Sequence, residues 1–247
     1  LGEPFVITWL NVLLTALAAT LAALTLSREF GTAAAVAGVM ILIVHPQAVS
    51  TTIRPLAEPF FLLLSWSFLF GLGRNFRFSS PLMVIILIFI ILTRVNGIWF
   101  VLALLGIYRS FGRKLLIIAI GASVLAALSN YGFTLISRQG SMYESFAWES
   151  VRQTRLPDLV TIATLILERG WRIFSALFRP GAFGFLVLAI PLINKQFWRR
   201  PISHLILYFF LINTLVTMVS LPLSEDFRIL WPGTALAGPV IAAAALR

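Results

Sequence analysis

A chain of 247 residues that is 60% hydrophobic and only 11% charged, with a mean hydropathy of +0.97, excludes an ordinary soluble enzyme, in which about a quarter of residues carry charge. The 19 Lys and Arg against 9 Asp and Glu give a net charge of +10, but the basic residues stand in short clusters between apolar runs, so membrane topology accounts for them and nucleic acid does not. The absence of cysteine excludes disulfides, thiolate nucleophiles and Cys metal sites.

A helix needs about 20 apolar residues to cross the hydrocarbon core. Pro4 to Leu26 is the first such run. It has Glu3 ahead of it and no basic start, so it reads as a span and not as a signal peptide, in a processed or incompletely represented protein that begins at Leu1. Thr32 to about Ile53 and Leu56 to Gly73 follow, the former interrupted by His45, Pro46 and Gln47. Pro81 to Tyr108 is too long for one span and carries Arg94 and Asn96 near its middle. Beyond it come Leu115 to Ile136, Ala182 to about Phe197, Ile202 to Leu221 and Ile229 to Leu246.

Charge counting divides the Pro81 to Tyr108 stretch in two. If the chain turns at Arg94, the cytoplasmic loops hold Arg28, Arg74, Arg77, Arg109, Arg113, Lys114, Lys195, Arg199, Arg200 and Arg247, and the short outer loops only Arg54, Arg94 and Arg228. A single crossing would spoil that asymmetry. The expectation is therefore two half-length helices meeting at Arg94 to Gly97, with their junction below the outer surface and shielded by neighbouring helices. The acids agree, since on this topology only Glu29 is cytoplasmic.

Residues 137–180 form the one sizeable segment outside the spans. Asp158, Thr161, Thr164, Glu168, Arg172, Ser175 and Arg179 recur at three- and four-residue steps, with Leu159, Ile162, Ile166, Ile173 and Leu177 on another face. This pattern predicts an amphipathic helix opened by Pro157, carrying Trp171, with Gly170 as a break point, lying at the outer interface or packing as a lid on the bundle. The predicted fold is thus all-α: one polytopic membrane domain over 1–247, about nine membrane helices including two half-length ones, and an outer interfacial helix.

No phosphate-cradling glycine loop, HExxH motif or N-x-S/T acceptor occurs. The remaining chemistry lies at the outer helix ends. Glu58, followed by Pro59, suits a helix start electrostatically; equally, Arg54 and Glu58 could face an aqueous cavity, the Arg holding a phosphate and the Glu a sugar hydroxyl or a water. Arg94, an ionisable group near membrane depth, is a site candidate that could alternatively pair with Glu58 or with helix-end carbonyls. Secondary candidates are His45, which an apolar helix more often satisfies structurally than uses as a base, and Glu225 and Asp226, which precede the last span.

The succession of a short basic turn at 27–31, a span ending in His45-Pro46, and Arg54-Pro-Leu-Ala-Glu58-Pro-Phe-Phe resembles the C-type glycosyltransferase superfamily (GT-C), whose members carry a Ser/Thr-Glu-Pro-Leu-Phe-like stretch there. Leu92-Thr-Arg-Val-Asn-Gly97 is similar to the family's Leu-Thr-Arg-Pro-x-Gly junction between two short helices, with Val95 in place of proline. Glu225-Asp-Phe-Arg-Ile-Leu-Trp-Pro232 is similar to its Arg-Tyr-x-x-Pro approach to a late helix, with Ile229 where an aromatic is usual.

The resemblance covers about residues 1–108 and 222–247. It implies a multi-pass enzyme of the bacterial inner membrane or an equivalent membrane, moving sugar from a polyprenyl-phosphate donor to a lipid, glycan or protein on the outer or lumenal face. Arg54, Arg94, Asn96 and Arg228 would then bind substrate or phosphate, and Glu58 sugar or a divalent metal ion. The family's catalytic acid, on a first outer loop, is expected upstream of Leu1. The alternatives are a non-catalytic accessory subunit keeping this scaffold, with partner membrane subunits, and, third, a transporter. The expected partners are membrane lipids and the sugar donor, not nucleic acid.

Overall fold

The computed structural model describes residues 3–44, 57–73, 80–93, 96–137 and 197–220, together with 164, 167–168, 170–171, 235–241 and 243. Among them the regular structure is entirely helical. The helices are α1 (Glu3–Phe30), α2 (Thr32–Val44), α3 (Glu58–Gly73), α4 (Ser80–Thr93), α5 (Asn96–Phe111), α6 (Arg113–Ser137) and α7 (Pro201–Ser220), the last preceded by a 3₁₀ turn, Phe197–Arg199. Residues 235–241 are also helical. Among the described residues, Phe5–Phe30 is long and apolar enough to cross a membrane unaided, with a mean hydropathy of 2.0, and it is accompanied by apolar helices of 10–17 residues.

Two glycines make the sharpest joints. Gly31, at φ 94°, ends α1 in the left-handed conformation that β-carbons resist, with its N–H donated to the Ser27 carbonyl at 2.9 Å. Gly112, at φ 80°, separates α5 from α6 as a single residue. α3 starts as its sequence suggests: the Phe61 N–H donates to the Ala57 carbonyl at 2.9 Å, placing Glu58 and Pro59 in the first turn. At α7 the Arg200 carbonyl accepts the N–H groups of Ser203 and His204, at 3.0 and 3.4 Å, and Pro201 again occupies the first helical position.

Packing follows side-chain size. α1 turns Ala18, Ala19 and Ala22 inward and lies against α2 and α3, while Phe5, Val6, Trp9, Leu13 and Leu17 point outward. α6 repeats the pattern, with Ala119, Ala122 and Ala126 inside and Ile117, Ile120, Val124 and Leu128 outside. On these two helices small residues at the contacts let backbones approach, and large apolar ones face outward. The 235–241 helix is buried all round, and the backbones meet at Gly38, where a β-carbon would stand 2.6 Å from the Pro239 carbonyl oxygen. Gly38→Leu is accordingly expected to destabilise the bundle by about 1–3 kcal/mol, read as a lower midpoint of detergent-solubilised thermal unfolding.

The centre is aromatic. Phe61 and Phe68 of α3, Phe100 of α5 and Phe209 of α7 are fully buried, with Phe100 edge-on to Phe68 at 5.8 Å and to Phe209 at 5.5 Å. Several hydroxyls on the apolar helices bond back within their own helix, whereas the buried hydroxyls of Ser65, Ser203 and Thr214 have no such partner. Thr25 donates to the Leu21 carbonyl at 2.8 Å, Ser67 to Leu63 at 2.7 Å and Ser123 to Ala119 at 2.8 Å, which removes the cost of carrying them among apolar groups.

The Pro81 to Tyr108 stretch forms two helices that end and begin at Thr93 and Asn96. At about 1.5 Å per residue they are roughly 21 and 24 Å long, short of the ~30 Å hydrocarbon core. They meet closely at the junction: a β-carbon on Gly97 would collide with the Ile90 carbonyl oxygen and lie 2.6 Å from Ile91 Cα. In one continuous helix residues 90 and 97 would stand about 10 Å apart along the axis, so the helix is broken here and α5 starts beside the last turn of α4. Elsewhere the boundaries shift. α1 continues past Leu26 to Phe30, and α2 is described as far as Val44, so the predicted second half of that span lies outside the described residues, as does the predicted span from Ala182 up to Gln196. In the 137–180 segment residues 164, 167–168 and 170–171 are helical and Leu167 and Trp171 are exposed; the predicted faces and the predicted break at Gly170 otherwise lie outside the described residues.

Candidate functional site

Glu58 is the one predicted site residue whose side chain is described, and it is 1% exposed. Pro59, Phe61 and Leu62 around it in sequence are buried as well. A carboxylate in such surroundings is costly unless its charge is met by compensating groups, and the positive end of the α3 dipole supplies part of that compensation. Burial thus goes further than a solvated capping role requires: a helix-start glutamate that only caps is ordinarily left in water.

Asn96 is placed by its backbone as the first residue of α5, directly beyond the break. Arg54, Arg94 and Arg228, and the secondary candidates His45, Glu225 and Asp226, lie outside the described residues. Among the described residues no group of three His, Asp or Glu side chains could hold a metal ion.

Two buried amides were missed by the sequence reading: Asn11 on α1 and Asn213 on α7. Their signal was present, because an asparagine inside an apolar run must face protein. One end of the bundle is fixed by the carboxylate of Glu29, which meets Arg200 at 3.5 Å and lies 3.7 Å from where a β-carbon on Gly73 would stand, with Ile202 Cδ1 equally near that point. The end of α1, the end of α3 and the start of α7 therefore share a level. Counted from it at about 1.5 Å per residue, Asn213 stands roughly 18 Å up α7, Glu58 roughly 22 Å up α3 and Asn11 roughly 28 Å up α1. The buried amides and the buried carboxylate thus occupy the half of the bundle away from the Glu29–Arg200 pair. Thr214 adds a buried hydroxyl at the same height as Asn213.

Comparison with known protein families, with characterised proteins and with solved structures gives no match for this chain.

Proposed function

We propose that the chain is a multi-pass membrane bundle and part of a GT-C-like glycosyltransferase that takes its sugar from a polyprenyl phosphate and works at the outer or lumenal face. The observation that carries the reading is the helix break with close backbone approach at Gly97. It falls within Leu92-Thr-Arg-Val-Asn-Gly97, the stretch that resembles the family's junction between short helices, and α4 and α5 on either side of it are each too short to cross the hydrocarbon core alone. The buried Glu58 and the outward-facing apolar surfaces of α1, α2 and α6 support it.

In this reading the acceptor hydroxyl oxygen attacks the anomeric carbon as the bond from that carbon to the phosphate oxygen breaks. Polyprenyl phosphate leaves with the bonding electrons, and the hydroxyl proton passes to a carboxylate base, which the resemblance puts on an outer loop ahead of the first helix described here. Arg94, with Arg54 and Arg228, neutralises the charge growing on the departing phosphate, Asn96 assists, and Glu58 accepts hydrogen bonds from the sugar. Saturable binding of a polyprenyl-phosphate sugar to the purified protein, competed by polyprenyl phosphate and not by the free sugar, is the expected result. No saturable binding would overturn the reading.

The topology has its own test. The Glu29–Arg200 end is cytoplasmic in this reading, with residues 109–114 and 195–200 there and 137–180 outside. Because the chain has no cysteine, single cysteines at Ser110, Gln196 and Ser141 are clean reporters. An impermeant thiol reagent on intact cells is expected to label position 141 alone; labelling of 110 or 196 without 141 inverts the orientation.

A further inference from the structure

The geometry points to a second lipid site at the opposite end of the bundle: we infer that the start of α7 holds one anionic phospholipid of the cytoplasmic leaflet, its phosphate at Arg199 and its acyl chain along the outer face of α7. The inference rests on the membrane orientation proposed above.

The surface there has the shape of an amphiphile. Trp198, 45% exposed, has its ring 5.5 Å from that of His204, which in turn lies 6.3 Å from the ring of Tyr208. Tyr208 is 37% exposed and covers Gly106 of α5, where a β-carbon would stand 2.8 Å from the Tyr208 ring. Leu211 and Leu215, also exposed, continue the same strip. From Arg199 to Leu215 the strip runs about 24 Å at 1.5 Å per residue, close to the thickness of one leaflet with its headgroup. Polar and aromatic groups occupy its head and apolar groups its tail.

The head is electropositive. Arg199 is exposed and has no ion-pair partner among the described residues. Arg28, in the last turn of α1, is exposed at the same end, and the α7 N-terminus adds its dipole. The nearby acid, Glu29, does not oppose them at the surface: only 14% exposed, it is turned inward against Arg200 and the Gly73–Ile202 contact. A guanidinium beside an indole ring suits a phosphodiester at the interface, and the cytoplasmic leaflet supplies anionic headgroups. A soluble polyanion would use the head and leave the strip of rings and leucines uncovered, which favours a lipid.

Native mass spectrometry of the protein in neutral detergent tests this, with phosphatidylglycerol and phosphatidylcholine of identical chains as probes. The wild type is expected to retain the anionic lipid over the zwitterionic one, and Arg199→Gln to lower that preference about fivefold, the effect of one arginine near a charged leaflet. Arg199→Lys should keep most of it. Because Arg199 is exposed, none of these changes should move the thermal midpoint. Equal retention of both lipids by the wild type, or an undiminished preference in Arg199→Gln, overturns the inference. Displacement of phosphatidylglycerol by glycerol phosphate or a short oligonucleotide would overturn it too, by reassigning the patch to soluble anions. A chain that stays monodisperse without detergent would fail the membrane reading itself; a detergent-dependent chain with no lipid preference fails this inference alone.

Discussion

Alanine in place of Gly97 is expected to cost about 3 kcal/mol or more, the upper end of what overpacking a filled site costs, and valine to prevent accumulation of folded protein. The new β-carbon has nowhere to go. It would overlap the Ile90 carbonyl oxygen and stand 2.6 and 2.7 Å from Ile91 Cα and the Ile90 carbonyl carbon, all backbone atoms of α4 that no rotamer change can withdraw. The backbone at Gly97 is itself one that any residue adopts, so the whole effect is the close approach. Two other glycines calibrate the measurement. Gly31→Ala meets nothing within 4 Å but must hold φ 94°, a strain of about 1–2 kcal/mol. Gly121→Ala, within α6, meets nothing within 4 Å and carries no such strain, so it should be neutral or stabilising by up to about 1 kcal/mol. Thermal unfolding of the three variants in one detergent should rank them Gly97→Ala, Gly31→Ala, Gly121→Ala from least to most stable. A Gly97→Ala protein as stable as the wild type would mean that α4 and α5 do not touch at the break.

Why that break was legible, and other features were not, is a matter of which forces leave a one-dimensional trace. Positive loops report their side of a membrane through composition alone, and Arg94 with Asn96 inside a long apolar run could be reconciled with the surrounding loops only by a turn. The helix starts at Glu58 and Pro201 were legible for a similar local reason, since the dipole and the proline act within one turn. Helix ends were harder. Ser27, Arg28 and Glu29 look like loop because they leave the apolar phase, yet hydrogen bonding carries α1 through them to the left-handed Gly31; hydropathy marks where lipid ends, not where the helix does.

Contacts distant in sequence left little trace. Glu29 looked like a stray cytoplasmic acid, and in the bundle it braces Arg200 across the ends of three elements. The 235–241 helix falls in the predicted span Ile229 to Leu246, whose hydropathy does not say how deeply it is buried, although its composition is suggestive: Ala235, Ala237, Gly238 and Pro239 are too small to cover a membrane exterior well and suit the close backbone packing found at Gly38. Of the candidate site, the sequence marked Glu58 by its position before Pro59, but its near-complete burial depends on how α3 sits among its neighbours, which no local pattern encodes.

That burial sets up the remaining test, because it makes the role of Arg94 separable from its charge. If the arginine serves the donor phosphate, Arg94→Ala is expected to weaken binding of a polyprenyl-phosphate sugar at least about tenfold, the loss of one charge-assisted contact of ~1.5–3 kcal/mol, with little change in the thermal midpoint. If it serves only to neutralise Glu58, the order of effects reverses. Arg94→Met would then strand a buried carboxylate at a cost of about 3–5 kcal/mol, Glu58→Gln would strand the arginine, and the double variant would regain most of the stability that either single variant lost, because a removed pair costs less than an orphaned charge. Donor affinity and thermal midpoint measured on the same four proteins therefore give two independent readouts. Lost affinity with retained stability in Arg94→Ala assigns the residue to the phosphate. A stability cycle that closes in the double variant, with donor affinity untouched in both single changes, assigns it to Glu58 and removes it from the site.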